Sequence, residues 1–312
     1  MNEFELIARL TPGLPGNATV VVGAGDDCAV LDFGLPGRWL LFKTDAVVEG
    51  IHFDVGARPE QIGHKALARC LSDIAAMAGE PSSALVTLAL PARFDAAFVE
   101  RVYAGLNALA QRHGVAVVGG ETTTNPERLL LSVAVLGSVE KNKVVLRRGA
   151  RPGDAIFVTG ELGGSRAGRH LEFEPRLAEA RWLADRFAVH AMIDLSDGLA
   201  GDLRHLLKAG GVGAELLATA IPVSRAAKRR AQASTRAKPP LLAALSDGED
   251  FELLFTVASQ DAVPVLDAWK ARFPEVRLSC IGKITADPGL RLRDRRGVQP
   301  VNVDGYVHFA QP

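Results

Sequence analysis

The 312-residue sequence is poor in cysteine, tryptophan and tyrosine, with three, three and two of each. Cys28, Cys70 and Cys280 are far apart and form no CxxC pair, which argues against both a disulfide framework and a cysteine zinc site. They are typical of small buried apolar residues. No apolar run approaches the roughly 20 residues of a membrane span, and Met1–Glu5 lacks the features of a secretory signal. We therefore expect a cytoplasmic protein that does not bind membranes.

An excess of charge of one sign is also absent, because Lys+Arg and Asp+Glu both number 36. No global field would draw the chain to nucleic acid. The basic segment Ser224–Pro240 lacks interleaved aromatic residues, so we expect a solvated helix and loop there. Neither a G-x-x-x-x-G-K-[ST] loop nor a G-x-G-x-x-G fingerprint occurs, which disfavours common P-loop, protein-kinase and Rossmann architectures.

The length and the 48% hydrophobic content fit two domains better than one, although one large domain remains an alternative. The polar segment Glu140–Gly153 suits a connection, and we predict domains at 1–146 and 147–312. Alternating patterns predict an α/β chain. The predicted strands are Thr19–Val22, Ala29–Asp32, Trp39–Thr44, Ala84–Leu90, Val115–Val118, Leu129–Val139, Ala155–Thr159, Ala191–Asp194, Ala214–Leu217, Phe251–Val257 and Arg277–Ile281. The predicted helices are Pro59–Ala78, Asp95–His113, Asp197–Leu207 and Asp261–Phe273.

Acidic motifs stand at predicted strand ends or helix starts, where loops bring side chains into a cleft. They are Gly25–Asp27, Lys43–Asp45, Ser72–Asp73, Gly119–Glu121, Asp194–Gly198 and Asp247–Asp250. Carboxylate and hydroxyl oxygens without His/Cys sets favour magnesium over zinc. Together these motifs predict a magnesium-dependent enzyme that acts on phosphates.

Each motif also has a structural explanation. Asp73 lies in an apolar helix, where an unpaired carboxylate would be costly, so it pairs with Arg69, is solvated, or faces a metal cleft. Asp26 and Asp27 are suited to capping a turn, and Asp197 to capping the following helix.

Each of the remaining candidate site residues has both a functional and a structural explanation. Gly119-Gly120 permits close backbone approach to a phosphate but is weak evidence alone. His52 contacts a substrate or packs beside Phe53. Arg147 and Arg148 clamp phosphate or decorate the connection.

Five segments in order resemble the thiamine-monophosphate kinase family. They are Gly25–Val30 (GDDCAV), Thr44–Phe53 (TDAVVEGIHF), Leu71–Met77 (LSDIAAM), Met192–Leu199 (MIDLSDGL) and Gly248–Phe255 (GEDFELLF). The resemblance implies a two-domain α/β fold like that of aminoimidazole ribonucleotide synthetase, with homodimers that pair through their N-terminal sheets. It also implies phosphorylation of thiamine monophosphate to thiamine diphosphate, with ATP as co-substrate and several Mg²⁺ ions.

The same resemblance assigns site residues. The magnesium positions are Asp27, Lys43, Thr44, Asp45, Asp73, Glu121, Asp194 and Asp197. The nucleotide contacts are Tyr103, Gly120, Glu121, Arg147 and Ser196. The thiamine contacts are His52, Glu249 and Tyr306. Because the acceptor phosphate oxygen is already ionised, we expect direct in-line transfer without a general base and assign no such residue.

At three positions this sequence departs from the family pattern, which affects the site residues assigned by resemblance. The family commonly has Thr or Ser at Lys43, Asp at Glu121 and Gly at Asp247. An ammonium cannot ligate a cation, so Lys43 implies a weakened or backbone-only metal contact, or neutralisation of phosphate. The related selenophosphate synthetases and hydrogenase-maturation proteins would need a reactive cysteine, which this sequence does not offer in the corresponding regions. A non-catalytic sensor and a phosphate hydrolase are the remaining alternatives.

Overall fold

The computed structural model describes residues 3–234 and 236–309. In the first half, the helices are α1 (Glu3–Leu10), α2 (Pro59–Ala76) and α3 (Ala96–Arg112). The strands are β1 (Val20–Val22), β2 (Ala29–Leu31), β3 (Arg38–Val48), β4 (Glu80–Leu90), β5 (Ala116–Thr124) and β6 (Leu130–Glu140). They form a six-stranded sheet in the order β1-β2-β3-β6-β4-β5. Only the β4–β5 pair is parallel, because α3 provides the crossover between these strands.

The second half contains a seven-stranded sheet in the order β13-β12-β9-β11-β7-β10-β8. Its strands are β7 (Ala155–Thr159), β8 (Val189–Asp194), β9 (Gly213–Leu217), β10 (Leu253–Val257), β11 (Leu278–Thr285), β12 (Gly289–Asp294) and β13 (Gly297–Pro300). Its helices are α4 (Leu177–Arg186), α5 (Leu199–Gly210), α6 (Arg225–Ala233), α7 (Pro240–Ser246) and α8 (Ala262–Arg272). Short 3₁₀ turns occupy Thr11–Gly13, Ser165–Ala167, Arg169–Leu171 and Ser259–Asp261.

Helix α2 is the element that joins the two halves. Pro59 occupies its first turn, and Ile62, Leu67, Leu71 and Ile74 are at most 1% exposed. The helix contacts β3, β6 and α3 on one side and α4 and β8 on the other. Because both sides of α2 are covered, its polar side chains must find partners within the protein.

Most predicted elements correspond to observed ones, with ends shifted by a few residues. Two shifts affect the candidate site. Strand β3 does not end at Asp45 but continues to Val48, because it pairs along its full length with β6. Strand β5, predicted to be buried and to end at Val118, is mostly exposed and continues to Thr124, so Gly119–Glu121 lies within a strand.

The predictions for the cysteines and for the basic segment are confirmed. Cys28 and Cys70 are buried free thiols, and Cys280 is partly buried. The basic segment contains α6, which is mostly exposed, as expected of a solvated helix. Within residues 3–234 and 236–309, no helix is long and apolar enough to cross a membrane.

Candidate metal and substrate site

Three carboxylates from three separate elements meet in the interior. Asp27 lies in the loop between β1 and β2, Asp73 in the last turns of α2, and Asp194 at the end of β8. One oxygen of each lies within 4.8 Å of the others. All three residues are at most 6% exposed. We call these residues the acidic cluster.

Each member of the acidic cluster has one polar partner. Arg147 Nη2 donates to Asp27 Oδ1 at 2.7 Å, and Ser72 Oγ donates to Asp194 Oδ2 at 2.6 Å. Lys43 Nζ donates to Asp73 Oδ1 at 2.8 Å. The second oxygen of Asp27 is buried and accepts no hydrogen bond from residues 3–234 or 236–309. An unpartnered buried carboxylate oxygen is costly, so this atom is suited to ligate a cation.

The electrostatics of the acidic cluster also indicate missing positive charge. Burial, followed by the charge of Asp27, raises the pKa of Asp194 to about 7. Burial also raises the pKa of Asp73 well above its usual value, although Lys43 opposes this shift. Several oxygen donors, an unpartnered oxygen and carboxylates that disfavour one another suit a hard divalent cation. The residues present therefore fit Mg²⁺.

The loop that carries Asp27 owes its shape to Asp26. The Asp26 carboxylate accepts from the backbone N–H groups of Asp27 at 3.0 Å and Arg147 at 3.2 Å. Asp26 therefore has the turn-forming role, while Asp27 faces the acidic cluster. Arg147 also reaches the cluster, whereas its neighbour Arg148 is exposed.

On β3, Lys43 and Asp45 face the acidic cluster and Thr44 does not. Successive side chains of a strand point to opposite faces. Lys43 Nζ lies 3.8 Å from Asp45 Oδ2, whereas Thr44 is exposed with its Oγ1 3.4 Å from Ser132 Oγ. Asp45 also lies 3.8 Å from Arg69 Nη2. The alternative in which Asp73 pairs with Arg69 is therefore wrong, because strand β3 supplies Lys43 to Asp73 instead.

In the turn after β8, the structural alternative for Asp197, a cap of the following helix, is wrong. Helix α5 begins after Gly198, and Asp197 does not cap it. Instead, the buried carboxylate of Asp202 accepts from the N–H groups of Asp197 at 3.1 Å and Gly198 at 3.0 Å. This role of Asp202 was not predicted from the sequence. The side chain of Asp197 is left for the adjacent pocket.

A small pocket of about 40 Å³ lies beside this turn. Its lining includes His52, Ser196, Asp197, Glu249 and Tyr306. All three predicted thiamine contacts therefore line one pocket. Burial, followed by the charge of Arg69, lowers the pKa of His52 to about 3, and His52 Nδ1 accepts from Val48 N at 3.1 Å. His52 is therefore a neutral wall of the pocket.

Larger clefts exist elsewhere, so volume does not identify the site. One of about 320 Å³ is lined by Arg38, Glu80, Lys143, Arg181 and Asp185. Its acidic and basic groups pair with one another, as in the Arg38–Glu80 contact of 2.6 Å and the Lys143–Asp185 contact of 2.8 Å. The charges of these five residues are therefore largely compensated within the cleft.

The carboxylate of Glu249 is held by a buried network that the sequence analysis missed. Lys65, with no exposed surface, places Nζ 2.6 Å from Glu249 Oε1, 2.7 Å from His170 Nδ1 and 2.5 Å from the His52 carbonyl. We call Lys65, His170 and Glu249 the buried triad. Although burial raises the pKa of Glu249, contacts with His170 and Lys65 lower it to about 2. The position of Lys65 on the buried face of α2 was an available signal.

The loop that presents Glu249 is conformationally unusual. Glu249 and Phe251 adopt positive φ angles of 57° and 49°. Their N–H groups donate to the Ser196 carbonyl at 2.6 Å and the Leu195 carbonyl at 2.8 Å. Such backbone conformations persist where surrounding contacts enforce them. Asp247, at the family's glycine position, accepts from Arg230 at 2.6 Å and Lys238 at 2.9 Å, so its charge is paired.

The other predicted nucleotide residues lie away from the acidic cluster within the chain. Gly120 is in register with Asp45 across the sheet but lies three strands away, which is about 14 Å at the usual strand spacing. Glu121 is exposed on this edge strand, and Tyr103 lies on α3. A side chain at Gly120 would collide with the Val86 backbone, which gives this glycine a packing role.

Comparison with known proteins is consistent across sequence and structure. Residues 25–139 match the N-terminal domain of AIR synthase related proteins, and residues 151–295 match the C-terminal domain. The thiamine-monophosphate kinase of Rhodopirellula baltica is 42% identical over 93% of this chain and 92% of its own length. That of Escherichia coli K12 is 36% identical over 99% of both chains.

Solved structures extend the comparison. AaThiL complexed with AMPPCP and TMP is 32% identical, with a TM-score of 0.83 over 99% of this chain and 97% of that one. The E. coli hydrogenase maturation protein HypE is 21% identical, with a TM-score of 0.73 over 96% of this chain and 97% of that one. The second likeness concerns the fold alone.

Proposed function

This chain belongs to the thiamine-monophosphate kinase family, and we propose that it transfers the γ-phosphoryl group of ATP to thiamine monophosphate. The observation that carries the proposal is the acidic cluster, with its unpartnered Asp27 oxygen, beside the pocket lined by Glu249 and Tyr306. A similar protein has been solved with AMPPCP and TMP. The products would be ADP and thiamine diphosphate.

Asp27, Asp73 and Asp194 would hold Mg²⁺, with Asp45 and Asp197 next to them. Bound Mg²⁺ would neutralise the charge of two phosphate-bearing substrates, which otherwise repel one another. Arg147 holds the Asp27 carboxylate in place through its 2.7 Å contact. Ser72 orients Asp194 in the same way.

The chemistry needs no proton-abstracting side chain. The attacking oxygen belongs to a phosphate that is already ionised near neutral pH. The residues of the site therefore bind, orient and compensate charge, which is the main protein contribution to phosphoryl transfer. We propose direct in-line transfer, without a phosphoenzyme.

The substrate end would be formed by His52, Glu249 and Tyr306. Glu249 is kept ionised by the buried triad, and thiamine carries a cationic thiazolium ring. Tyr306 and Phe251 offer aromatic surface to the flat rings of the substrate. For Tyr103, Gly120, Glu121 and Ser196, we propose nucleotide contacts. The side chain of Thr44 lies on the opposite face of the strand from Lys43 and Asp45, which weakens its proposed metal role.

We also propose a homodimer that forms through the outer face of the six-stranded sheet. Phe42 and Leu85 are each 48% exposed on this face, and Val118 on the edge strand is 62% exposed. Contiguous exposed apolar residues typically mark interaction surfaces. Sedimentation velocity should give a dimer for the native chain and a monomer for Phe42→Glu/Leu85→Glu, whereas an unchanged dimer would rule out this face.

Two further proposals follow. The domain boundary lies between residues 146 and 147, since the two matched family models flank residues 140–150. The protein is cytoplasmic, where its proposed co-substrate ATP is available.

Product analysis tests the proposed function. Purified protein would be incubated with ATP, Mg²⁺ and either thiamine monophosphate or free thiamine. We expect thiamine diphosphate and ADP in equal amounts from the monophosphate, and no phosphorylated product from thiamine. ADP without thiamine diphosphate would indicate a hydrolase, and absence of turnover with intact nucleotide binding would favour a sensor.

A further inference from the structure

Lys43 is placed where a cation would otherwise bind. Its ammonium lies 2.8 Å from Asp73 Oδ1 and 3.8 Å from Asp45 Oδ2. The side chain is 23% exposed, and those of Asp73 and Asp45 are 8% and 22% exposed. A lysine side chain is therefore directed into a largely buried site by a strand that also carries one of the acids.

Each carboxylate near the acidic cluster is compensated differently. Asp73 receives the charge of Lys43, Asp27 that of Arg147, and Asp45 that of Lys43 and Arg69. Among residues 3–234 and 236–309, the Asp194 carboxylate accepts a side-chain hydrogen bond only from the neutral Ser72, and Asp27 keeps one unpartnered oxygen. The demand for further positive charge is therefore strongest on the side of Asp27 and Asp194.

A divalent ion and the Lys43 ammonium would compete for the space between Asp45 and Asp73. Mg²⁺ needs oxygen atoms at about 2.0–2.1 Å, and an ammonium group cannot ligate it because it has no free lone pair. A hydrogen bond from the ammonium already occupies Asp73 Oδ1, and the two positive charges repel each other. A neutral residue with a hydroxyl group would remove both obstacles.

We propose that the Lys43 ammonium takes the place of one divalent ion between Asp45 and Asp73, so that this chain binds one Mg²⁺ fewer than it would with a neutral residue at position 43. This inference rests on the proposed metal role of the acidic cluster. The metal positions that remain are those at Asp27 and Asp194. An internal, permanent cation reduces the dependence of the site on free Mg²⁺.

The number of bound ions tests the proposal without turnover. Mn²⁺ would be titrated into the full chain in the presence of a non-hydrolysable ATP analogue, with free Mn²⁺ followed by electron paramagnetic resonance. We expect Lys43→Thr to bind one more Mn²⁺ per chain than the native protein. Lys43→Arg, which keeps the charge, should bind the native number.

Lys141→Thr is the matched control. Lys141 Nζ forms a contact of 2.7 Å with Asp32 at the end of the same sheet, in a more exposed setting. Its removal changes the net charge by the same amount, so an unchanged Mn²⁺ count would exclude a general charge effect. In addition, Mg²⁺ should raise the Tm of Lys43→Thr more than that of the native protein.

If Lys43→Thr and the native chain bind the same non-zero number of Mn²⁺ ions, the proposal is overturned. A weaker affinity of that variant for the ATP analogue would then indicate that Lys43 binds a phosphate group instead. If Lys43→Thr does not fold, the longer neutral side chain in Lys43→Gln provides the same comparison. A native chain that binds no Mn²⁺ would refute the metal site itself. Normal ion counts without thiamine diphosphate formation would refute only the proposed kinase activity.

Discussion

Helix α2 carries two buried charged sites that differ in how their charge is compensated. Lys65 and Asp73 are eight residues apart, or about 12 Å along the helix. Around Lys65, the buried triad forms a network in which an ammonium and an imidazole surround one carboxylate. Around Asp73, three carboxylates converge within 4.8 Å of one another.

The opposite pKa shifts of the two sites express this difference. The pKa of Glu249 is lowered to about 2, so its ionised form stabilises the folded chain. The pKa of Asp194 is raised to about 7, so its ionised form destabilises the folded chain unless another cation is present. Charge that the chain itself compensates serves positioning, whereas charge that it leaves uncompensated favours a bound metal.

The largest expected effect comes from the acidic cluster. Asp73→Asn and Asp27→Asn should each lower kcat/KM for thiamine monophosphate by roughly 100- to 1000-fold at limiting Mg²⁺, since metal ions supply several kcal/mol of transition-state stabilisation. Steady-state kinetics over a range of Mg²⁺ concentrations measures this. Asp26→Asn, which alters only the turn, should cost about tenfold at most. Full turnover of Asp73→Asn at limiting Mg²⁺ would contradict the assignment of Asp73 as a metal ligand.

Breaking the buried triad should mainly reduce stability. Lys65→Met leaves Glu249 without its closest cation, and we expect a loss of about 3–5 kcal/mol in the free energy of unfolding. Chemical denaturation measures the loss, and adding Glu249→Gln should recover part of it. Arg101→Ala breaks an exposed pair with Glu60 and should cost much less, because solvent screens that pair. Equal losses for Lys65→Met and Arg101→Ala would contradict the distinction.

The pH dependence of stability should separate the two sites next. The raised pKa of Asp194 contributes stability that is present below about pH 4 and is lost as the pH rises through about 7. In metal-free buffer, the free energy of unfolding of Asp194→Asn relative to that of the native chain should therefore rise by on the order of 1–3 kcal/mol between pH 5 and 7.5. Thermal unfolding measures this difference, which Mg²⁺ should reduce. A pH-independent difference would be evidence against an uncompensated Asp194.

The smallest effect is expected at the pocket wall. Tyr306→Ala removes aromatic surface and should raise KM for thiamine monophosphate about 3- to 10-fold, equivalent to about 0.7–1.4 kcal/mol. The KM for ATP should stay within twofold of the native value. A larger effect on ATP than on thiamine monophosphate would place Tyr306 at the nucleotide instead.

Local patterns in the sequence predicted most elements of the fold. Helix α2 was predicted from Pro59 at its start and apolar residues at helical spacing, and the observed helix ends two residues before the predicted end. The pattern of β3 failed at Asp45, because a polar residue ends an apolar run but does not end pairing with a neighbouring strand. Helix α4 and strands β12 and β13 were not predicted, since their polar sequences lack a clear period.

Predictions for the site were limited by long-range contacts. The candidate carboxylates were recognisable as residue types, but the meeting of Asp27, Asp73 and Asp194 depends on how the two halves pack. Lys65 finds Glu249 184 positions further along the chain, and Asp73 finds Lys43 rather than the nearby Arg69. Spacing along one helix does not contain such information.

Binding of Mn²⁺ to the native chain and to Asp27→Asn/Asp194→Asn tests the central claim most directly. The double variant removes two of the three carboxylates of the acidic cluster, while the buried triad is unaltered. We predict saturable Mn²⁺ binding by the native chain in the presence of a non-hydrolysable ATP analogue, and loss of at least one bound ion in the variant. The same number of ions bound with the same affinity by both proteins would contradict a divalent cation site at the acidic cluster.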